Sequence, residues 1–234
     1  MASMQFPRPD RHATSLFVLD IDNAEPDLKH PALKGGKRAL DITVSLLVLI
    51  LLSPVLLLVA LLILATMGSP VFFTQDRPGL YGRPFRMIKF RSMSDHKGPD
   101  GAPLPDEKRL GNIGRALRST SLDELPELLN VLRGDMSLVG PRPLLMEYLP
   151  LYSADQHRRH QVRPGLTGLA QIGGRNALSW DDKFALDLRY VDQWSMALDL
   201  RILAATLWKV LSRHGISHAD HVTTPKFQGN RDDR

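Results

Sequence analysis

The feature that most constrains this chain is the run from Ile42 to Met67, ITVSLLVLILLSPVLLLVALLILATM, which holds no charged residue. A helix needs roughly 20 apolar residues to reach across the hydrocarbon core of a bilayer. The run is apolar on every face, so it is not an amphipathic helix lying on a membrane surface. Buried core helices rarely keep this length, and the run begins too deep in the chain and is too long for a secretory signal peptide. Ser53 and Pro54 stand at its centre. Pro54 has no N–H and its ring clashes with the preceding turn, so a helix here kinks or breaks. In lipid the backbone group freed by the break needs a partner, and the Ser53 hydroxyl can supply one. Lys34, Lys37 and Arg38 precede the run, and Arg77, Arg83, Arg86, Lys89 and Arg91 follow it. Positive residues favour the cytoplasmic side. Both flanks are basic, so the expectation is a re-entrant helix–break–helix rather than a kinked spanning helix.

The remainder reads as a catalytic-sized domain with appendages. An apolar fraction of 43% and a charged fraction of 24% over 234 residues exclude a disordered chain, a collagen-like fibre and a multi-span membrane protein. The absence of cysteine excludes a disulfide framework, a thiolate metal site and a cysteine nucleophile. The net charge of +5 suits a phosphorylated ligand, an anionic lipid or nucleic acid. No helix-turn-helix or aromatic stacking stripe supports nucleic acid. The expected divisions are a loosely ordered arm over 1–33, the basic flank and membrane helix over 34–67, a cytosolic domain over 68–212 and a flexible tail over 213–234. Two short apolar runs, 70–75 and 85–91, flank a Gly/Pro turn and predict a β-hairpin. Residues 94–108 read as a loop. Periodicity predicts helices near 110–118, 124–133, 143–160, 180–191 and 196–212. The fold class expected is α+β, mostly helical, with one small hairpin.

Three segments carry candidate chemistry. The densest runs from Arg115 to Asn130, RALRSTSLDELPELLN. Proline is tolerated in the first turn of a helix, so Pro126 places a helix start close to Asp123. Asp123 and Glu124 then lie at the N-terminus, where the dipole favours negative charge and keeps them ionised. That suits a nucleophile or a metal ligand, although an acidic cap on a surface helix has the same pattern. The second segment, Arg133 to Pro143, ends in Gly-Pro-Arg-Pro. Its prolines restrict the backbone on both sides of Arg142, and a rigidly held guanidinium suits bidentate phosphate recognition; a plain turn would read alike. The third, Arg163 to Asn176, is glycine-rich and flanked by arginines, which permits close backbone approach to a ligand or makes a simple connection. It lacks the Lys-Ser/Thr of a Walker A loop. His157 and His160, beside Arg158 and Arg159, read as a solvated basic face. His214 and His218 share a helical spacing, but Gly215 follows at once, so no metal site is expected there.

In this order the segments resemble the monotopic phosphoglycosyl transferases, bacterial sugar transferases that start glycoconjugates on a polyprenol carrier. The likeness rests on Lys37-Arg-Ala-Leu-Asp41, the apolar run with Ser53-Pro54, Lys89-Phe-Arg91-Ser-Met93, Ser121-Leu-Asp-Glu-Leu-Pro126, Asn130 through Pro143, and Arg163 through Asn176. It covers residues 37 to about 212 and implies the minimal form of the family. It implies that Asp123 attacks the β-phosphate of a UDP-sugar, UMP leaves, and undecaprenyl phosphate then takes the sugar phosphate. It further implies that Glu124 helps to bind Mg²⁺ with Asp123 or orients the pair, that Arg118, Arg142 and Arg175 clamp the phosphates, and that Lys89 and Asp187 complete the site. The resemblance places the domain on the cytoplasmic face of the bacterial inner membrane, in polysaccharide or lipopolysaccharide assembly, and raises the weight of the re-entrant geometry. It leaves the sugar and self-association open. A membrane-attached, metal-dependent phosphohydrolase and a non-catalytic membrane-docked adaptor are the alternatives.

Overall fold

The apolar run folds as two helices, α1 (Gly35–Leu51) and α2 (Ser53–Met67), bent from one another by 63°. The bend follows from Pro54. In a continuous helix its N–H would bond the Ile50 carbonyl, and proline has none. Ser53 Oγ donates to that same carbonyl at 2.8 Å. Among the described residues no single helix is long and apolar enough to cross a membrane, but the bent pair meets that length and composition together. The chain is described from a computed structural model, which covers residues 30, 32, 35–96, 98–99, 101–102, 104–174, 178–212 and 226–229.

Lys37, Asp41 and Ser45 form a buried stripe at the four-residue spacing of one helix face, and the first two anchor the lower half of α1. Lys37 Nζ pairs with Asp199 Oδ2 at 2.5 Å and donates to the Val139 carbonyl at 3.0 Å. Tyr190 Oη and Trp194 Nε1 also donate to Asp199, at 2.8 and 3.2 Å. Asp41 accepts from Ser137 Oγ and from the Leu138 N–H at 3.1 and 3.0 Å. A second tie is made at the far end of the pair. The Arg91 guanidinium donates to the carbonyls of Met67 and Gly68, which close α2, where a cation complements the helix dipole. Both ends of the apolar pair are therefore fastened to the same domain.

The predicted hairpin is present as β1 (Phe72–Pro78) and β2 (Pro84–Phe90), antiparallel, with Phe73 opposite Lys89. The outer edge of β2 is covered by Asn130, whose side chain accepts from the Ile88 N–H at 3.0 Å and donates to the Arg86 carbonyl at 2.8 Å. A short helix, α3 (Asp106–Arg109), closes the segment read as a loop, and α4 (Asn112–Thr120) follows. A Cβ on Gly114 would lie 1.9 Å from the Ser92 carbonyl oxygen, so only glycine lets α4 sit on the strand exit. Then come α5 (Glu127–Arg133) and β3 (Ser137–Val139).

Residues 143–160 do not form the single helix expected. They form a 3-10 segment Met146–Leu151, a short helix α6 (Ala154–His157) capped by Ser153, and a 3-10 turn Arg158–Gln161. Pro150 and the local Ser153 cap divide what periodicity joined. A second sheet, unexpected from the sequence, pairs β3 with β4 (Gly165–Thr167) in parallel. Its strands are too short to show a period of two. Its close approach uses the glycines of the third segment: a Cβ on Gly165 or Gly168 would meet the backbone of Gly140 at 2.1 or 2.3 Å. Those glycines admit backbone, not ligand. Helices α7 (Leu169–Gly173), α8 (Trp180–Asp192) and α9 (Met196–Ser212) complete the order.

The main core joins Leu128 and Val131 of α5, Val139 of β3, Tyr190 of α8 and Ile202 of α9. A second cluster seats α2, through Val59 and Ile63, on Phe90, Leu117 and Leu122. Most of the arm 1–33 lies outside the described residues, but Ala32 is buried in the main core and His30 Nε2 lies 3.0 Å from the Val191 carbonyl oxygen. Most of the tail 213–234 likewise lies outside, including the histidines at 214 and 218. The expectation of a flexible tail does not hold at Lys226–Gly229, where Phe227 is buried among Tyr148, Trp180 and Phe184.

Lys37→Met leaves the buried Asp199 carboxylate without its counter-charge. Breaking one side of a buried pair costs about 3–5 kcal/mol. The expected result is a thermal unfolding midpoint lowered by on the order of 10 °C, partly recovered when Asp199→Asn is added. An unchanged midpoint would mean that the pair does not anchor α1.

Candidate active site

The acidic pair does not start the helix, as the proline had implied. Pro126 occupies the position before α5, and Asp123 and Glu124 lie one step earlier, in a 3-10 turn Leu122–Glu124. Ser121, between α4 and that turn, has a left-handed backbone with φ 57°. A non-glycine residue there is uncommon and clusters at functional sites. The reversal brings Leu122 onto the cluster of Phe90, Leu117 and the α2 residues Val59 and Ile63, and leaves Asp123 buried beside its neighbour.

Glu124 is held by two cations from distant segments. Lys89 Nζ of β2 donates to its Oε1 at 2.8 Å, and the Arg142 guanidinium donates to both carboxylate oxygens. Lys89 Nζ also lies 2.9 Å from Glu127 Oε1, an ion-pair contact without hydrogen-bond geometry. Burial alone would raise the Glu124 pKa, but the Arg142 and Lys89 charges outweigh it and hold the carboxyl well below its ordinary range. The Glu124 charge in turn raises Arg142 above its usual value. The Arg142 side chain nonetheless keeps 40% of its surface exposed.

Asp123 behaves in the opposite way. Burial, and then the Glu124 charge, push its carboxyl up to about 6, against the pull of Lys89, Arg118 and Arg142. This corrects the expectation that a helix dipole keeps both acids strongly ionised: Asp123 is not on a helix terminus, and desolvation outweighs its cations. Two adjacent carboxyls thus have pKa values driven apart, the pattern that separates chemical roles in acid–base sites. Glu124 is committed to cations. Asp123 makes no hydrogen bond or ion pair among the described residues, so its oxygens are available to a phosphorus atom or a cation.

Of the residues singled out in the sequence, Lys89, Asp123, Glu124 and Arg142 meet in one cluster. Arg118 stands beside it, with Nε donating to Ser92 Oγ at 3.0 Å and its charge acting on Asp123. Arg175 lies outside the described residues. Asp187 does not join the cluster: it is buried on α8 and accepts from Arg159 Nε and Nη2 at 3.1 and 2.6 Å. Arg159 and His160 are therefore not part of a solvated face, being 3% and 7% exposed. The residues that sequence reasoning missed are Arg159 and Glu127. Glu127 was discoverable, three positions after Glu124 on one face of a turn. Arg159 was not, because nothing in His-Arg-Arg-His separates it from the exposed Arg158, which pairs with Asp192.

Among the described residues no group of three or more His, Asp or Glu side chains could hold a metal ion by itself. Hard-cation sites that use one carboxylate with substrate phosphates need no such group, and Asp123 fits that description better than Glu124.

The Asp123 carboxyl is expected to titrate near pH 6, protonated below and ionised above. Carboxyl ¹³C shifts, assigned by difference from Asp123→Asn, measure this. Glu124→Gln removes a neighbouring negative charge, so it should move the midpoint down. A wild-type midpoint at the ordinary 3.8 would refute the burial argument.

Comparison with known proteins identifies the family. The family described as bacterial sugar transferase matches residues 33–213. An uncharacterized sugar transferase of Bacillus subtilis strain 168, EpsL, is 55% identical over 196 residues, covering 84% of this chain and 97% of the relative. A UDP-glucose:undecaprenyl-phosphate glucose-1-phosphate transferase of Caulobacter vibrioides is 44% identical over 186 residues, covering 75% of this chain and 70% of the relative. The exopolysaccharide production protein ExoY of Sinorhizobium fredii is 39% identical over 222 residues, covering 88% and 97%. With the acidic turn and Arg142 inside the matched region, the chain belongs to the bacterial sugar transferase family.

Proposed function

We propose that the protein moves a sugar-1-phosphate from a UDP-sugar to undecaprenyl phosphate and releases UMP, as the first membrane step of exopolysaccharide or related glycoconjugate assembly. The observation that carries this reading is Asp123, a buried carboxylate with no hydrogen bond or ion pair among the described residues, set beside the Lys89–Glu124–Arg142 cluster. A carboxylate nucleophile divides one displacement into two. In the first, an Asp123 oxygen bonds the β-phosphorus, the bond from that phosphorus to the bridging oxygen breaks, and UMP leaves with the electron pair. In the second, a phosphate oxygen of the lipid bonds the same phosphorus and the Asp123 carboxylate is released.

The surrounding charges suit this chemistry. The Arg142 fork matches a phosphate in shape and charge. Lys89, Arg118 and Arg142 would offset the repulsion between a carboxylate and a diphosphate, a preorganised form of electrostatic stabilisation. Arg175 is retained as a third clamp on the family likeness alone. The donor set suits Mg²⁺ rather than zinc, with Asp123 and the substrate phosphates as its ligands; the ion would supply further charge neutralisation.

The membrane reading rests on the bent pair. Leu47, Ile50, Leu51, Leu57 and Leu58, around the bend, are 61–72% exposed. Contiguous apolar surface of this kind marks a membrane or partner contact. With both ends fastened to one domain and both flanks basic, a re-entrant insertion from the cytoplasmic face is the reading favoured. Leu122, next to Asp123, packs on the same cluster as Val59 and Ile63 of α2, which would put the nucleophile close to lipid-phosphate height.

The deciding experiment is a quenched reaction without lipid, using a donor tagged in the sugar or β-phosphate, followed by intact-protein mass spectrometry. The label should map to Asp123, be lost in Asp123→Asn and be discharged by undecaprenyl phosphate. An enzyme that turns over without ever carrying label uses direct attack instead. For topology, the chain has no native cysteine, so single cysteines at Ala2 and Arg234 report cleanly. Both should react only from the cytoplasm, and Pro54→Leu should shift the pair toward a spanning helix. Reaction of either wild-type end from the periplasm would exclude the hairpin.

A further inference from the structure

Arg142 owes its position to more than its two prolines. Arg159, in the 3-10 turn Arg158–Gln161, points its guanidinium into the domain and is 3% exposed. Two of its donors hold Asp187 Oδ2, and Nη2 also donates to the backbone carbonyl of Arg142 at 2.8 Å. The rings of Tyr152 and Phe184 flank it, each 5.8 Å from the guanidinium carbon. A buried arginine is retained only when its charge is balanced and its donors are used. Here Asp187 balances the charge, and a second Nη2 hydrogen goes to the one backbone carbonyl lying between Pro141 and Pro143.

We propose that Arg159 is a positioning residue, held by Asp187, that fixes the Arg142 backbone so that the Arg142 guanidinium reaches both Glu124 and an incoming diphosphate. This rests on the reading of Arg142 as a diphosphate clamp. It also gives Asp187 a different task from the one the family likeness implied: Asp187 does not touch substrate but neutralises Arg159. The physical reason for such a device lies in the local chain. Prolines restrict φ and remove donors, but they do not anchor a segment to the rest of the domain. A planar guanidinium can hold a carboxylate and a carbonyl at once, which a lysine ammonium on a flexible stem does not reproduce.

The test is a double-mutant cycle on the full-length protein, with UDP as the diphosphate probe and its affinity measured by calorimetry. Arg142→Lys and Arg159→Lys are each expected to weaken UDP binding by about ten- to hundredfold, the range for hydrogen bonds to charged groups. If Arg159 acts through Arg142, the double variant binds within about twofold of Arg142→Lys alone, because coupled sites are not additive. A merely structural role would multiply the two effects, and that outcome overturns the proposal. Wild-type affinity in Arg159→Lys overturns it as well. Wild-type affinity in Arg142→Lys removes the clamp itself, and the positioning role falls with it. The cycle reads binding alone, so it remains decisive if the protein fails the covalent-labelling test. If Arg159→Lys does not fold, Arg159→Gln combined with Asp187→Asn removes both buried charges together. The same loss and the same non-additivity with Arg142→Lys are then expected, and multiplying effects again refute the proposal.

Discussion

The charge on Glu124 is what the rest of the candidate site depends on. It draws Lys89 from the hairpin and Arg142 from the loop after β3 to a single turn of chain. Three segments far apart in sequence are tied there by one carboxylate. Two full positive charges cannot be kept in a partly buried cluster without such a counter-ion. Glu124 also acts on its neighbour, since its negative charge adds to the burial that raises Asp123. The two acids of the motif are thus not equivalent: one organises cations, and the other has no hydrogen bond or ion pair among the described residues.

A second constraint links this cluster to the apolar helices. α2 is clamped at its end by Arg91, one residue past β2, and β2 carries Lys89. α1 is pinned at its base to β3, α8 and α9 through Lys37 and Asp41. The surface that would enter a lipid phase and the carboxylate beside the cation cluster therefore share supports a few residues apart. The Ser53–Pro54 bend is self-contained by comparison: the carbonyl that proline leaves unpaired is taken by the preceding hydroxyl.

Asn130 and the glycines of β3 and β4 show how much of the domain is built from backbone satisfaction. Asn130 stands in for a missing third strand along β2, and Gly140, Gly165 and Gly168 let two short strands approach where any side chain would collide. Neither feature carries chemistry itself. Both set the positions of Lys89 and Arg142, on which the proposed chemistry rests.

The sequence by itself determined the apolar pair and its break, the hairpin, the helices near 110–118, 180–191 and 196–212, and three residues of the cluster, Asp123, Glu124 and Arg142, with Lys89 added by the family likeness. These are local matters: an uncharged run, a proline without a donor, a periodicity long enough to count, and acids and bases in a dense motif. Only the tertiary structure decided the rest. The parallel pair β3–β4 has strands too short for a pattern, and 143–160 mixes helix periodicity with Pro150 and the Ser153 cap. Asp123 could not be assigned its raised pKa from spacing, because burial is a property of what packs over a residue. Arg159 and Arg158 are adjacent and chemically identical, yet one is sealed against Asp187 and the Arg142 carbonyl while the other pairs with Asp192 at the surface. Which of two such neighbours faces the core depends on partners about thirty residues away, and no local rule carries that information.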